Sequence, residues 1–92
     1  MYWIDKYADL LVNYSLYLKE GEKVFVRSTT LAEPLVKAFY KAAIKAGALV
    51  ETELNFEDQE NILLQYSNSE QLQYVGAYYQ KAIQSFDAYL VI

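Results

Sequence analysis

Arg27-Ser28-Thr29-Thr30 is the one place in this 92-residue chain where a basic side chain, three hydroxyls and a helix start come together. The hydroxyls and backbone N–H groups of such a turn can hold an anion at the start of a helix. Arg27 can clamp a carboxylate or phosphate with two parallel hydrogen bonds. The run follows the apolar stretch Lys23–Ser28 and so falls at the carboxyl end of a strand, where open α/β sheets place their ligands. It carries no glycine-rich phosphate loop: the three glycines are Gly21, Gly47 and Gly76, and none lies here. Thr30-x-x-Glu33 has the form of a capping box. Pro34 competes with that reading, because proline belongs in the first helical turn and the residue before it resists helical geometry. Either the box closes a tight first turn, or the helix begins at Pro34 and residues 29–33 form a loop. Both alternatives make the run a structural corner, with Arg27, Ser28, Thr29 and Thr30 as candidate contacts to a substrate or a neighbouring domain.

Other chemistry is narrowly bounded. The chain has no histidine and no cysteine. That removes Ser-His-Asp and Cys-His catalysis, disulfides and thiolate metal sites within it. Five acids fall between Glu51 and Glu60. They read either as a hard-cation site or, preferably, as one polar strand face followed by an acid-rich helix start. Lys37, Lys41 and Lys45 repeat every four residues, the pattern of a solvated helix face. The net charge of −4 argues against a nucleic-acid footprint, which needs a basic face. No apolar run approaches the ~18 residues of a membrane span, and Met1–Lys6 lacks the form of a signal peptide. These features lead us to expect a cytoplasmic protein with neither nucleic acid nor membrane as partner. Ten tyrosines suit half-buried surfaces and contacts between domains or subunits.

The elements that position these residues follow from periodicity. Residues 3–18 predict a helix whose stripe is Ile4, Tyr7, Leu11, Tyr14 and Leu18, with Ala8 and Ser15 on the same side. Leu10, Val12, Leu16 and Tyr17 make it apolar over more than one stripe, and Gly21 offers a left-handed cap after it. Lys23–Ser28, with Val24, Phe25 and Val26 in sequence, predicts a strand buried on both faces. Residues 34–46 predict a helix with Leu35, Val36, Phe39, Ala43 and Ala46 inward, ended by Gly47. Ala48–Phe56 alternates, with Val50, Thr52, Leu54 and Phe56 expected inside and Glu51, Glu53 and Asn55 wet. A short helix then carries Ile62, Leu63 and Tyr66. Ser67-x-x-Glu70 forms a capping box, with Asn68 or Ser69 as alternative caps, and opens a last helix. That helix has Leu72, Val75, Tyr79, Ala82, Ile83 and Phe86 inward, and Gly76 suggests close packing. Asp87–Ile92 is a third strand. Strands separated by helices imply right-handed crossovers. The expected fold is therefore one α/β domain over residues 1–92, three-layered, with a small parallel sheet of three strands in the order 2-1-3. A buried-type strand at the end of the chain suggests a fragment of a longer protein.

Three runs carry a family resemblance. They are Lys6-Tyr7-Ala8-Asp9-Leu10-Leu11-Val12-Asn13-Tyr14-Ser15, then Leu18-Lys19-Glu20-Gly21-Glu22-Lys23-Val24, then Arg27-Ser28-Thr29-x-Leu31-Ala32-Glu33-Pro34-Leu35-Val36. With Ala46-Gly47-Ala48 they resemble the amino terminus of the thermophilic metallo-aminopeptidases of the aminopeptidase T and aminopeptidase S type. The resemblance implies a two-domain, dimeric exopeptidase acting on peptides. Its carboxyl-terminal catalytic domain, missing here, would hold two divalent metal ions through glutamate, histidine, tyrosine and aspartate. None of those ligand motifs falls within the chain, so no catalytic or metal residue is carried over. On this reading the segment shapes the substrate cavity and the dimer and is inactive alone. The alternatives are a small anion- or nucleotide-binding module and a structural or interaction domain.

Overall fold

Val24, Phe25 and Val26 are all buried, and they sit in the strand that organises the sheet. A computed structural model describes residues 2–15 and 18–92. Strand β1 (Lys23–Thr29) pairs in parallel with β2 (Leu49–Asn55) on one edge and with β3 (Ala88–Val91) on the other, giving the expected order β2-β1-β3. Helix α1 (Tyr2–Leu10) precedes β1 and runs on as a π-helical stretch, Leu11–Ser15. Helix α2 (Glu33–Lys45) links β1 to β2, while α3 (Gln59–Tyr66) and α4 (Ser69–Ser85) link β2 to β3.

One face of the sheet carries the main core. Val24 and Val26 point from β1 onto Ala8 and Val12 of the first helical segment and onto Val36, Phe39, Ala42 and Ala43 of α2. Phe39 and Ala43 are fully buried, and the small alanines bring α2 close to the strands. Of the side expected to face inward, Ile4, Ala8 and Leu18 are buried and Leu11 is half-buried, Val12 is buried with them, and Tyr7 is the exception, about half exposed at 48%. Alanine at position 8 lets the helix approach α2 on that side, which a tyrosine would hold off. The expectations at Leu16 and Tyr17 lie outside the described residues, as do those for the side chains of Tyr14 and Ser15.

The corner after β1 closes differently from the capping box. Thr30–Ala32 is a 3-10 turn, and the Glu33 N–H donates to the Thr30 carbonyl. That backbone bond replaces the one a Thr30 side-chain cap would have made. The Glu33 carboxylate turns forward to Lys37, 3.7 Å away. The helix begins at Glu33 with Pro34 in its first turn.

At the other end of α2, Gly47 has φ +83°. The Gly47 N–H donates to the Ile44 carbonyl and the Ala48 N–H to Ala43, which is the Schellman arrangement. Here the chain leaving α2 touches the chain entering β1: the Gly21 N–H donates to the Gly47 carbonyl and the Leu49 N–H to Glu22. A Cβ on Gly47 would lie 2.9 Å from Glu20 Cγ and 3.2 Å from Glu20 Cα. Gly21 is also left-handed, φ +81°, but faces open space.

The second face of the sheet is covered more thinly. No residue of α3 or α4 is fully buried. Val75, Tyr79, Ala82 and Phe86 are half-buried as the stripe requires, whereas Leu72 and Ile83 are largely exposed. Gly76 has nothing within 4 Å of its would-be Cβ, so it does not mark close packing inside the described residues. The cap of α4 is Asn68, one residue later than Ser67. The Gln71 N–H donates to Asn68 Oδ1 at 2.9 Å, and the Asn68 N–H to Gln71 Oε1 at 3.0 Å. The alternation expected in β2 is reversed in its second half. Glu53 and Asn55 are half-buried, while Thr52, Leu54 and Phe56 are exposed. Val36 and Tyr40 of α2 flank Thr52 and Leu54 without burying them, whereas α3 and α4 lean across Glu53 and Asn55.

The two left-handed glycines separate strain from contact. Gly21→Ala should cost about 1 kcal/mol, the left-handed penalty alone. Gly47→Ala should cost about 2 kcal/mol or more, because the methyl also meets Glu20 backbone. Urea unfolding followed by circular dichroism checks the order; equal costs would mean that the Gly47–Glu20 approach carries no energy.

Candidate functional site

Alternation along β1 turns Phe25, Arg27 and Thr29 toward α4, opposite to Val24, Val26 and Ser28. Phe25 meets Phe86 edge-on and stacks on Tyr89, its register partner in β3, with ring centroids 5.4 Å apart in each pair. Arg27 comes next on this face. Its register partner in β2 is Glu53, and its Nε lies 4.0 Å from Glu53 Oε2. The Tyr79 ring of α4 covers the guanidinium, with Cζ 4.0 Å from the ring centroid. A cation over an aromatic face at this distance is attracted by the ring quadrupole, by about 0.5–1 kcal/mol where water still reaches it.

The electrostatics agree with this packing. Burial alone would lower the Arg27 pKa, but a hydrogen bond to Tyr89 and attraction to Tyr79, Tyr89 and Glu60 raise it above its ordinary value. The Tyr79 phenol is also pushed up, first by burial and then by its hydrogen bond to Glu53; Asn55 and Arg27 pull the other way. Glu53 Oε2 is buried without a hydrogen-bond partner. The 4.0 Å approach of Arg27 is too long for a hydrogen bond, so that oxygen is held by charge alone.

Two clefts open beside Arg27. One, of about 330 Å³, lies at the carboxyl ends of the strands, between Arg27, Thr29, Asn55, Asp58 and Ile92. The other, also about 330 Å³, lies under α4, between Arg27, Glu53, Asn55, Glu60 and Tyr79. Of the four residues singled out in the sequence, Arg27, Ser28 and Thr29 line the first cleft together, and Thr30 does not. Ser28 is 3% exposed on the opposite face, where its Oγ lies 3.3 Å from both the Thr29 and Ile92 carbonyls. Thr29 is exposed at the first cleft; Thr30 is exposed in the 3-10 turn and lines neither cleft. Glu53, Tyr79 and Tyr89 were absent from the sequence-derived set. Glu53 and Tyr89 have a signal in hindsight: they share the parity of Arg27 and Phe25 in a parallel register. Tyr79 was read only as an apolar member of its stripe.

Metal chemistry finds no ligand set here. Among the described residues, no three acids converge in a way that could hold an ion. Glu51 points to solvent, and Glu53 is engaged by Arg27.

A titration isolates the Tyr79 contact. A phenol whose pKa is higher in the folded state than in the unfolded chain contributes stability below the unfolded value, ~10, and loses it as pH rises through the folded value. Wild-type stability should therefore fall more steeply than that of Tyr79→Phe as pH rises past about 10, the unfolded value. Tyr79→Phe keeps the ring over Arg27, whereas Tyr79→Ala should cost about 2–3 kcal/mol at pH 7. Parallel pH slopes for wild type and Tyr79→Phe would contradict the assignment.

Comparison with known proteins adds to this geometry. Residues 3–92 match the thermophilic metalloprotease (M29) family. A search of the curated proteins finds no significant match. Among solved structures, wild-type AmpT from Thermus thermophilus superposes with a TM-score of 0.72 at 20% identity, over 96% of this chain and 23% of that one. At that identity the likeness establishes a shared fold, and the chain spans about a quarter of the solved chain. With the family match running from Trp3 to the last strand, the chain belongs to the thermophilic metalloprotease (M29) family.

Proposed function

We propose that this chain is the amino-terminal, non-catalytic α/β domain of a metal-dependent aminopeptidase, continued in the whole protein by a carboxyl-terminal catalytic domain. The observation that carries the reading is a family match along nearly the full chain in a sequence without a histidine or cysteine. In this reading two divalent metal ions belong to the catalytic domain and supply the activation of water for peptide hydrolysis there. This domain helps to wall the substrate cavity and takes part in a homodimer, in the cytoplasm. Thr29 and Thr30, exposed at the end of β1, are its candidate contacts to peptide or to the second domain. Arg27 and Ser28 serve that rim from behind, one held by Glu53 and Tyr79, the other close to the chain end at Ile92. Anion binding at Arg27 gains little support, because Asp58 and Glu60 line the clefts beside it.

The test is a peptidase assay with aminoacyl p-nitroanilides and added cobalt, zinc or manganese. The 92-residue chain should show no chelator-sensitive release of amino acid. The polypeptide continued by its catalytic domain should show it. Chelator-sensitive hydrolysis by the 92-residue chain alone would overturn the proposal.

A further inference from the structure

Helices α3 and α4 leave a cleft between them that the fold does not fill. It has two adjoining parts, which share Leu63, Tyr74 and Val75 as walls. The wider part, of about 560 Å³, reaches Ser67 and Glu70 at the junction of the two helices. The narrower part, of about 330 Å³, reaches Glu53, Glu60 and Tyr79 beside Arg27. Between these ends the walls are apolar and aromatic. Volumes of this size, with mostly apolar walls and a few polar groups, are those of small-molecule sites.

Each end carries an acid with nothing to neutralise it. Glu60 and Glu70 make no ion pair among the described residues. Arg27, the one cation lining the cleft, is already paired with Glu53. Each end also carries an oxygen that lacks a donor. Among the described residues, Glu53 Oε2 and Ser67 Oγ are buried without a hydrogen-bond partner, and they belong to opposite ends of this one cleft. Two acceptor ends with apolar surface between them fit a molecule that has donors at both ends and methylenes in the middle. We propose that the α3–α4 cleft binds a linear aliphatic polyamine, one terminal ammonium at Glu60 beside Glu53 and the other at Glu70 beside Ser67.

Seven residues separate Glu60 from Ser67, about 10 Å at the helical rise. Extended spermidine has that reach and putrescine does not. Tyr66 and Tyr74 are 75% and 77% exposed, and a methylene chain lying along the cleft covers part of that surface. Their ring faces also attract an ammonium. Three carboxylates against one guanidinium exclude an anion, and a monoamine leaves one end unpaired. A second copy of a chain of net charge −4 brings mostly more acid to the cleft. The inference is independent of the peptidase reading, since hydrolysis enters none of its tests.

Isothermal titration of the chain with spermidine at low salt reads it out. One molecule should bind with a Kd on the order of 50 μM, weakening as salt is added. Putrescine, too short for both ends, and octylamine, with a single ammonium, should each bind about tenfold more weakly. Glu60→Gln and Glu70→Gln should each weaken spermidine about tenfold. Glu51→Gln, exposed and lining neither part of the cleft, should change it by less than about twofold. Backbone amide shifts at saturation should centre on Leu63, Tyr66 and Val75. An absence of saturable binding, putrescine or octylamine binding as tightly as spermidine, or equal losses in Glu51→Gln and Glu60→Gln would each overturn the proposal. So would shifts at those amides that follow the concentration of the chain and ignore spermidine, which would assign the cleft to a second copy.

Discussion

A charge placed in the middle of the sheet is the constraint on which the α4 half of the structure depends. Among the described residues β1 is the strand paired on both edges, so Arg27 rises from the middle of the sheet and reaches water only through the clefts beside it. A guanidinium there needs a counter-charge and a cover. Glu53 supplies the first from the neighbouring strand, and Tyr79 supplies the second from above. An ion pair in this position is weak evidence for stability, because removing two charges from water offsets most of their attraction. Its effect is on arrangement: α4 must lie where its tyrosine reaches Arg27.

The two faces of the sheet therefore differ in kind. The α1–α2 face is aliphatic and closed, with Phe39 and three alanines making a dry seam. The α4 face is aromatic and half-open, built on Phe25, Tyr89 and Phe86 with a polar cluster at its far end. Apolar burial dominates folding free energy at about 25 cal/mol per Å², so the first face contributes most of it. Local opening begins where few apolar groups are buried, which puts α3 and α4 at the low-stability end of the domain. The solvent-facing tyrosines of α4 fit the same division, since that helix is held on one side by a few rings and left unpartnered on the other.

What could be read from the sequence divides along the same line. Wherever one apolar period dominated, as in Val24–Val26 or in Val36, Phe39 and Ala43, both the element and its buried face followed, and so did the strand order 2-1-3. The family was also visible, because its runs sit in this well-packed half. Expectations failed where two signals competed. Thr30-x-x-Glu33 has the letters of a capping box, but Pro34 and a 3-10 turn send Glu33 to Lys37. In α1 Tyr7 shares a side with Ile4 and Ala8 yet stays half exposed, because how close α2 comes is a tertiary fact. In β2 the apolar parity was read as inward, yet at the sheet edge burial depends on which helix reaches that far. The site shows the same limit: Arg27 was evident as a lone cation, but its partners lie about 26, 52 and 62 residues away along the chain.

That failure in β2 also shows what the Arg27–Glu53 pair does. Strand register is strongly fixed only where a slip would bury the wrong face. For most of β2 this penalty is small, since Thr52 and Leu54 keep part of their surface in water in the register observed. A one-residue slip would place Thr52 or Leu54 opposite Arg27 and turn Glu53 onto the aliphatic face against α2. Arg27 would lose its counter-charge, at a modest cost because water still reaches it, and a carboxylate would enter the aliphatic seam, where an unpaired charge costs several kcal/mol. The pair adds little net stability to the correct register and a large penalty to the neighbouring ones. In an edge strand whose hydrophobic pattern specifies its alignment only weakly, a half-buried carboxylate opposite an arginine raises the cost of every neighbouring register.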